Sequence, residues 1–269
     1  MNIKRKVFAT GKPGLSQSSE VNSSFNINNA LENTRKRMGQ FFKGNQILGR
    51  KGTIGCVSLE ITQRCNLDCS LCYLSESSAL VNDMPIEELY RRLDQIFNVY
   101  GPGTNVQISG GDPTLRDKEE LLSIVSYARK IGLNPALFTN GKKCSRELLV
   151  ELSEAGLSDV AFHVDLTQNL KGYKTETDLN ELRSELIERA RGLPLLVIFN
   201  TTVHESNFHE IPAVVQFFIK NSDVVGMASF QLQADTGRGI LHQRPDPISL
   251  ETVQQKVSKG AGNLLPWDT

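Results

Sequence analysis

Cys56-Val57-Ser58-Leu59-Glu60-Ile61-Thr62-Gln63-Arg64-Cys65-Asn66-Leu67-Asp68-Cys69-Ser70-Leu71-Cys72-Tyr73 is the stretch that decides the fold. Its first seven residues, rich in Val, Leu and Ile, read as a β-strand. Directly after it, three cysteines fall within eight residues. The chain has five cysteines in 269 residues. At that frequency a CxxxCxxC spacing arises by chance in roughly 1 of 600 chains, so it calls for a chemical cause. The odd count, and the lack of an apolar leader after the basic Lys4, Arg5 and Lys6, argue against a disulfide framework. Thiolates at this density are soft ligands for an iron–sulfur cluster or for zinc.

Downstream, short β-rich runs alternate with segments of helical period. The runs are Cys56–Thr62, Asn105–Ser109, Asn134–Thr139, Asp159–Val164, Leu195–Thr202 and Ala228–Gln233. Between the first two, Ile86, Leu89, Tyr90, Leu93, Ile96, Phe97 and Tyr100 mark one helical face behind Pro85. Further helices are expected from about Asp117 to Ile131, from an N-capping Ser145 to Gly156, over Asp178–Arg191, and from Asn207 to Lys220 with Glu210 in a capping-box position. Six strands and five helices, at about 30 residues per unit, match the repeat of a parallel barrel. The fold class is α/β, with parallel strands and helices outside. An open doubly wound sheet and a barrel of six units both satisfy this pattern, and both gather ligands at the C-terminal ends of the strands.

Thirty basic and thirty acidic residues give a formal net charge of zero, which argues against a dedicated nucleic-acid binder. With 39% hydrophobic and 22% charged residues the chain is globular. No apolar run reaches the ~18 residues of a membrane span. The expected compartment is the cytoplasm. Residues 1–50 form a flexible N-terminal extension, with residues 1–28 expected mobile and residues 29–43 a short capping helix. Residues 51–240 are the core domain. Residues 241–269 are a short C-terminal extension with a helical pattern near Leu250–Val257.

Three thiolates on one loop can hold three irons of a cubane and leave the fourth open. Structural zinc usually takes four protein ligands, and no second CxxC pair exists, although His163, His204, His209 and His242 are available. Cys56 reads as a buried strand residue, and Cys144 as a loop residue that could be exposed. Two thiols are too few for a second four-cysteine cluster. The second strand ends in Gln107-Ile108-Ser109-Gly110-Gly111-Asp112-Pro113-Thr114. Glycines there let backbone carbonyls approach a ligand, and an acid pairs with an ammonium, though Gly-Gly-Asp-Pro is also good turn chemistry.

On these residues the chain resembles the radical S-adenosylmethionine (SAM) superfamily over about residues 52–240. The resemblance implies a partial (β/α)6 TIM-like barrel. It also implies a 4Fe–4S cluster on Cys65, Cys69 and Cys72 whose open iron binds SAM. Reductive cleavage of SAM then yields a 5′-deoxyadenosyl radical that abstracts hydrogen from an organic substrate, with flavodoxin or ferredoxin as electron donor. The family has Gly-Gly-Glu-Pro where this chain has Gly110, Gly111, Asp112 and Pro113. The resemblance puts Ser109, Gly110, Gly111 and Asp112 at the methionine ammonium. Leu71 stands where an aromatic residue often meets the adenine, with Tyr73 beside it. Thr139 and Asn140 are implied to reach the ribose, Asp165 the ribose or the substrate, and Asn200 and Thr202 the same cavity. His163 reads as a core histidine or a site residue. Gln231 and Gln233, expected on one face of the sixth strand, and Arg238, a candidate carboxylate or phosphate clamp, are substrate candidates. The segment Ser229–Arg238 is similar to one in the branch with tetraether-lipid synthases and pterin methyltransferases, which points to a small-molecule or lipid-like substrate. No catalytic side chain is implied. A non-catalytic iron–sulfur protein is the alternative.

Overall fold

The computed structural model describes residues 56–234, 236–241 and 248–262. The expectations for residues 1–50, and for much of 241–269, lie outside them. Six strands form one parallel sheet: β1 Cys56–Thr62, β2 Asn105–Gly110, β3 Asn134–Thr139, β4 Asp159–His163, β5 Leu196–Val203 and β6 Val225–Leu232. The spatial order is the chain order, β1-β2-β3-β4-β5-β6. A doubly wound sheet reverses its order at a switch point, whereas a barrel wall never does. The order therefore selects the partial (β/α)6 barrel.

Helices follow the strands: α1 Ile86–Tyr100, α2 Lys118–Lys130, α3 Arg146–Glu154, α4 Asn180–Ala190, α5 Ile211–Lys220 and α6 Leu250–Gly260. The first five lay apolar stripes on the sheet, where Leu89, Leu93, Ile124, Val125, Leu149 and Leu186 are completely enclosed, while α6 packs against α5. Phe162, Phe199 and Phe218 carry the core from β4 through β5 to α5, with ring centroids 5.6 and 5.2 Å apart. Ser145 caps α3 as expected, its side chain accepting from Leu148 N. Asp117 caps α2 through Glu119 N and Glu120 N. Among the described residues, no helix is long and apolar enough to cross a membrane.

Two elements depart from the sequence pattern. β6 begins at Val225, three residues before the run that signals it, because Gly226 and a largely exposed edge position blur the apolar alternation. At α5, the capping box on Glu210 does not form, since Glu210 is itself the residue before the helix. Its carboxylate reaches outward instead, accepting from Glu176 N and Thr177 N. That contact fixes the long loop after β4.

Candidate cofactor site

The cysteine loop leaves the top of β1 and is held from three sides. From β2, Gly111 N donates to Thr62 O at 2.9 Å and Asp112 N to Arg64 O at 2.8 Å. This approach needs glycine: a Cβ on Gly110, where φ is +128°, would lie 1.9 Å from Thr62 O, and one on Gly111 would lie 2.2 Å from Arg64 O. The glycine pair thus serves a protein contact first, letting β2 run beneath the loop. From β4, Ser70 N donates to Thr167 O at 2.8 Å. From beyond β6, Arg238 N donates to Cys72 O at 2.9 Å, and its guanidinium reaches Cys69 O at 3.2 Å and Asp68 at 2.8 Å. Arg238 therefore ties the loop after the last strand to the loop after the first, across the open side of the barrel. Arg116, buried below, donates to Ile61 O at 2.6 Å and Met84 O at 2.7 Å.

Cys65, Cys69 and Cys72 line one cavity of about 250 Å³ at the C-terminal ends of the strands. No group of three His, Cys, Asp or Glu among the described residues is arranged to hold a single metal ion. A cubane makes a different demand, since each cysteine ligates a different iron and the sulfurs need not converge on a point. Burial, with help from the Asp112 charge, raises the Cys65 thiol. Burial and the nearby Asp165 charge push Cys69 up to about 12. Both are thiols at neutral pH, so metal loading must displace their protons.

The same cavity brings together most of the residues that the motifs single out. Leu71, Tyr73, Ser109, Gly110, Gly111, Thr139, Asn140, Gln231 and Arg238 all line it. Tyr73 donates to Gly110 O at 3.2 Å, and Asn140 Nδ2 to Asn66 Oδ1 at 2.7 Å, which braces the cysteine loop from β3.

Other candidates are placed differently. Asp112 is fully buried and off the cavity wall: it accepts from Thr114 N at 3.0 Å, Asn140 N at 2.9 Å and the Thr139 hydroxyl at 2.9 Å. Its carboxylate joins the ends of β2 and β3. Asp165 is also fully buried, and its wall belongs to a neighbouring cavity. It accepts from Thr167 N at 2.9 Å and Thr202 N at 2.7 Å, and pairs with His163 Nε2 at 2.8 Å. Asn200 is buried and lines neither cavity. Gln231 and Gln233 part company, one facing each cavity, because β6 ends between them at Leu232. Arg238 spends its guanidinium on the cysteine loop. The spare cysteines exchange their expected places: Cys56, at the start of an edge strand, is exposed, and Cys144 is buried and raised to about 12 by that burial.

Burial works to lower the His163 pKa, but the charge and hydrogen bond of Asp165 outweigh it and the net shift is upward. Asp165 is correspondingly held below the usual carboxylate range despite its burial. His163 lines the cysteine cavity. Gln168 is a site residue that no motif flags. Its Nε2 donates to His163 O at 2.6 Å, while its buried Oε1 has no partner among the described residues, although Gln168 is on the cavity wall.

A model of the radical SAM superfamily matches residues 59–218. The chain belongs to the radical SAM superfamily. It is similar to the 7,8-dihydro-6-hydroxymethylpterin dimethyltransferase of Methanocaldococcus jannaschii, 28% identical over 214 residues, covering 77% of this chain and 42% of that protein. Among solved structures it resembles Streptococcus suis SuiB bound to its precursor peptide SuiA, with a TM-score of 0.60 and 18% identity over 91% of this chain and 53% of that one. It also resembles anSMEcpe with bound AdoMet, with a TM-score of 0.53 and 19% identity over 66% of this chain and 51% of that one. The chain spans less than half the length of the curated relatives it matches.

Proposed function

We propose that this chain is the core of a radical SAM enzyme in which Cys65, Cys69 and Cys72 hold a 4Fe–4S cluster and the same cavity binds SAM. The observation that carries this reading is the meeting of the three thiols and the ends of β2 and β3 in one cavity, in a chain of this superfamily. Held by these three cysteines, such a cluster would supply one electron for breaking the sulfonium C–S bond of SAM, giving methionine and a carbon radical able to take a hydrogen atom from a substrate.

The protein's own residues bind and orient. Backbone at Ser109, Gly110 and Gly111, with Thr139, Asn140 and Gln168, offers hydrogen-bonding groups for the polar ends of SAM. Leu71 offers an apolar surface. Arg238 and Thr167 keep the cysteine loop in place. Asp112 acts behind the site, and Asp165 orients His163. The electron donor is a flavodoxin or ferredoxin, the substrate a small or lipid-like molecule, and the setting the cytoplasm. Residues 51–240 are the core domain, with 1–50 and 241–269 as extensions. The dihydropterin named for the Methanocaldococcus relative supports a small heterocycle, while the SuiA complex supports a peptide.

One observation favours a second reading, an iron–sulfur protein that does not use SAM: the acid of the Gly-Gly-Asp segment is turned to β3 and away from the cavity. Low-temperature EPR of the anaerobically reconstituted, dithionite-reduced protein decides between them. A 4Fe–4S signal that shifts on adding SAM is expected. A cluster signal indifferent to SAM would establish the second reading. Bound zinc with no cluster would reject both.

A further inference from the structure

The cysteine loop does not enclose its three thiols equally. Cys69 and Cys72 are half-buried, whereas Cys65 is exposed. Electron transfer weakens steeply with distance, so a cluster on these thiols is reached from outside most readily at its Cys65 corner. That corner adjoins the loop after β3. Asn140 Nδ2 lies 3.8 Å from Cys65 Sγ, and Asn140 Oδ1 accepts from Lys142 N at 2.9 Å. A single side chain therefore separates the backbone of Lys142 from the thiol.

The charge of this loop is one-sided. From 140 to 146 it reads Asn-Gly-Lys-Lys-Cys-Ser-Arg, with three cations and no acid. Arg189 adds a fourth cation, its guanidinium donating to Gly141 O at 2.9 Å and Cys144 O at 3.3 Å. Glu147 follows in sequence and Glu185 pairs with Arg189 at 3.5 Å, which leaves four positive charges against two negative. Glu188, whose carbonyl accepts from Arg146, has its carboxylate on Arg191. Elsewhere around the cysteine loop the charges cancel, Arg64 against Asp83 and Arg238 against Asp68. Lys142 and Lys143 are exposed and have no acidic partner among the described residues. Neither lines the cysteine cavity or its neighbour.

The loop is also held firmly. Gly141 takes φ +79°, and a Cβ there would lie 2.6 Å from the Leu186 side chain, so the turn is suited to glycine. Gly141 N donates to the Thr139 hydroxyl at 3.1 Å and Cys144 N to Gly141 O at 3.2 Å. Cys144 is completely buried and anchors the loop from below. The two lysines thus stand on backbone that is already ordered, which spares a binding partner the entropy of fixing it.

We propose that the loop of residues 140–146 is the docking surface for an acidic one-electron carrier protein, which approaches the cluster at Cys65. Encounters of this kind use small interfaces, in which complementary charge supplies the on-rate and the orientation. In the docked pair the carrier gives up one electron and the cluster takes it; no bond forms or breaks and no proton moves. The proposal rests on the cluster reading only in what the docked carrier does. Docking itself needs no cluster.

The probe is dye-labelled oxidised flavodoxin, whose fluorescence anisotropy is followed on titration with the cluster-free full chain. Saturable binding is expected at an ionic strength of about 10 mM, where the screening length is about 30 Å. Lys142→Glu with Lys143→Glu should weaken it about tenfold or more, and the difference should vanish near 1 M salt, where that length is about 3 Å. The control is Lys130→Glu with Lys220→Glu, the same charge change in the last turns of α2 and α5, which should bind as the wild type does. Circular dichroism shows that each variant is folded; should the reversal fail to fold, Lys142→Gln with Lys143→Gln carries the test. On the reconstituted protein, the reversal should slow cluster reduction by flavodoxin hydroquinone, followed by stopped-flow absorbance, and leave reduction by dithionite unchanged. Absence of saturable binding, binding that the reversal leaves intact, or binding that the control weakens equally overturns the docking surface. So does displacement of the probe by a DNA oligonucleotide as effective as that by unlabelled flavodoxin, which would mark a general polyanion site. Docking with the expected variant pattern, in a protein that assembles no cluster, would uphold the surface and reject the radical SAM reading.

Discussion

Replacing Asp112 with Ala separates a structural carboxylate from a ligand-binding one. The family resemblance puts this acid at the SAM ammonium, whereas the structure spends it on the ends of β2 and β3. In Asp112→Ala, two amides, the buried Asn140 N–H and the part-buried Thr114 N–H, lose their acceptor. The threonine hydroxyls can rotate to other partners and are left out of the count. Each stranded amide costs about 1–3 kcal/mol, so the variant loses about 2–6 kcal/mol. A domain of this size loses about 2–4 °C of Tm per kcal/mol, so even the lower half of that range lowers Tm by roughly 4–16 °C. Asp112→Asn keeps the shape but sets an NH2 against one of the same donors, and should fall between the two. The assay is thermal unfolding of the cofactor-free protein by circular dichroism, with SAM affinity measured on the same samples. A variant that melts within a degree of the wild type yet binds SAM far more weakly would refute this reasoning and return Asp112 to the ligand.

Single Ala replacements of Cys65, Cys69 or Cys72 should abolish cluster assembly, while Cys56→Ala and Cys144→Ala load normally. Iron and sulfide counts check this, and full loss in Cys144→Ala would show the ligands mis-assigned. Arg183→Met strands Glu176 as an uncompensated buried charge and should cost about 3–5 kcal/mol, read as a lower denaturation midpoint in urea. The His163–Asp165 pair predicts a pH signature. Because the folded pKa of His163 is raised, its stabilisation relative to His163→Gln is fully present below the ordinary histidine pKa and is lost as pH rises through the folded value. Because that of Asp165 is depressed, the carboxylate's share is present above the ordinary Asp pKa and is lost as acid reaches the folded value. An NMR titration placing His163 at or below the free-histidine value would contradict the pairing.

Strand β1 and helix α1 were legible because local signals coincide with burial: an apolar run before the cysteines and a seven-residue stripe behind Pro85. The chain order of the strands was not, since periodicity says nothing about which neighbours pair. β6 was misjudged at its start because an edge strand need not alternate. In the site, the CxxxCxxC spacing carried its own meaning, as ligand chemistry fixes residue type and spacing together. Gln168 carried no such signal. A lone amide or imidazole becomes informative only when the fold buries one of its atoms without a partner. Cys56 and Cys144 were exchanged for a related reason: membership of a strand does not bury the residue that starts an edge, and a loop can close over a thiol.

The departures from the motif reading share a direction. Gly110 and Gly111 admit backbone, Asp112 joins two strand ends, and Arg238 grips the cysteine loop, so three features readable as ligand contacts hold protein to protein. An incomplete barrel lacks the last two βα units that would brace its first loop from the other side. The cysteine loop must then be fixed by what remains: β2 below, Asn140 from β3, Thr167 beside, and Arg238 across the gap. On that account Arg238→Gln should loosen the loop while leaving the sheet intact. Faster hydrogen exchange is expected at Arg238 N–H and at the amides of residues 67–73, with β3 and β4 unchanged. Unaltered exchange across that loop would mean that β2, Asn140 and Thr167 hold it unaided, and that Arg238 is free to meet a ligand after all.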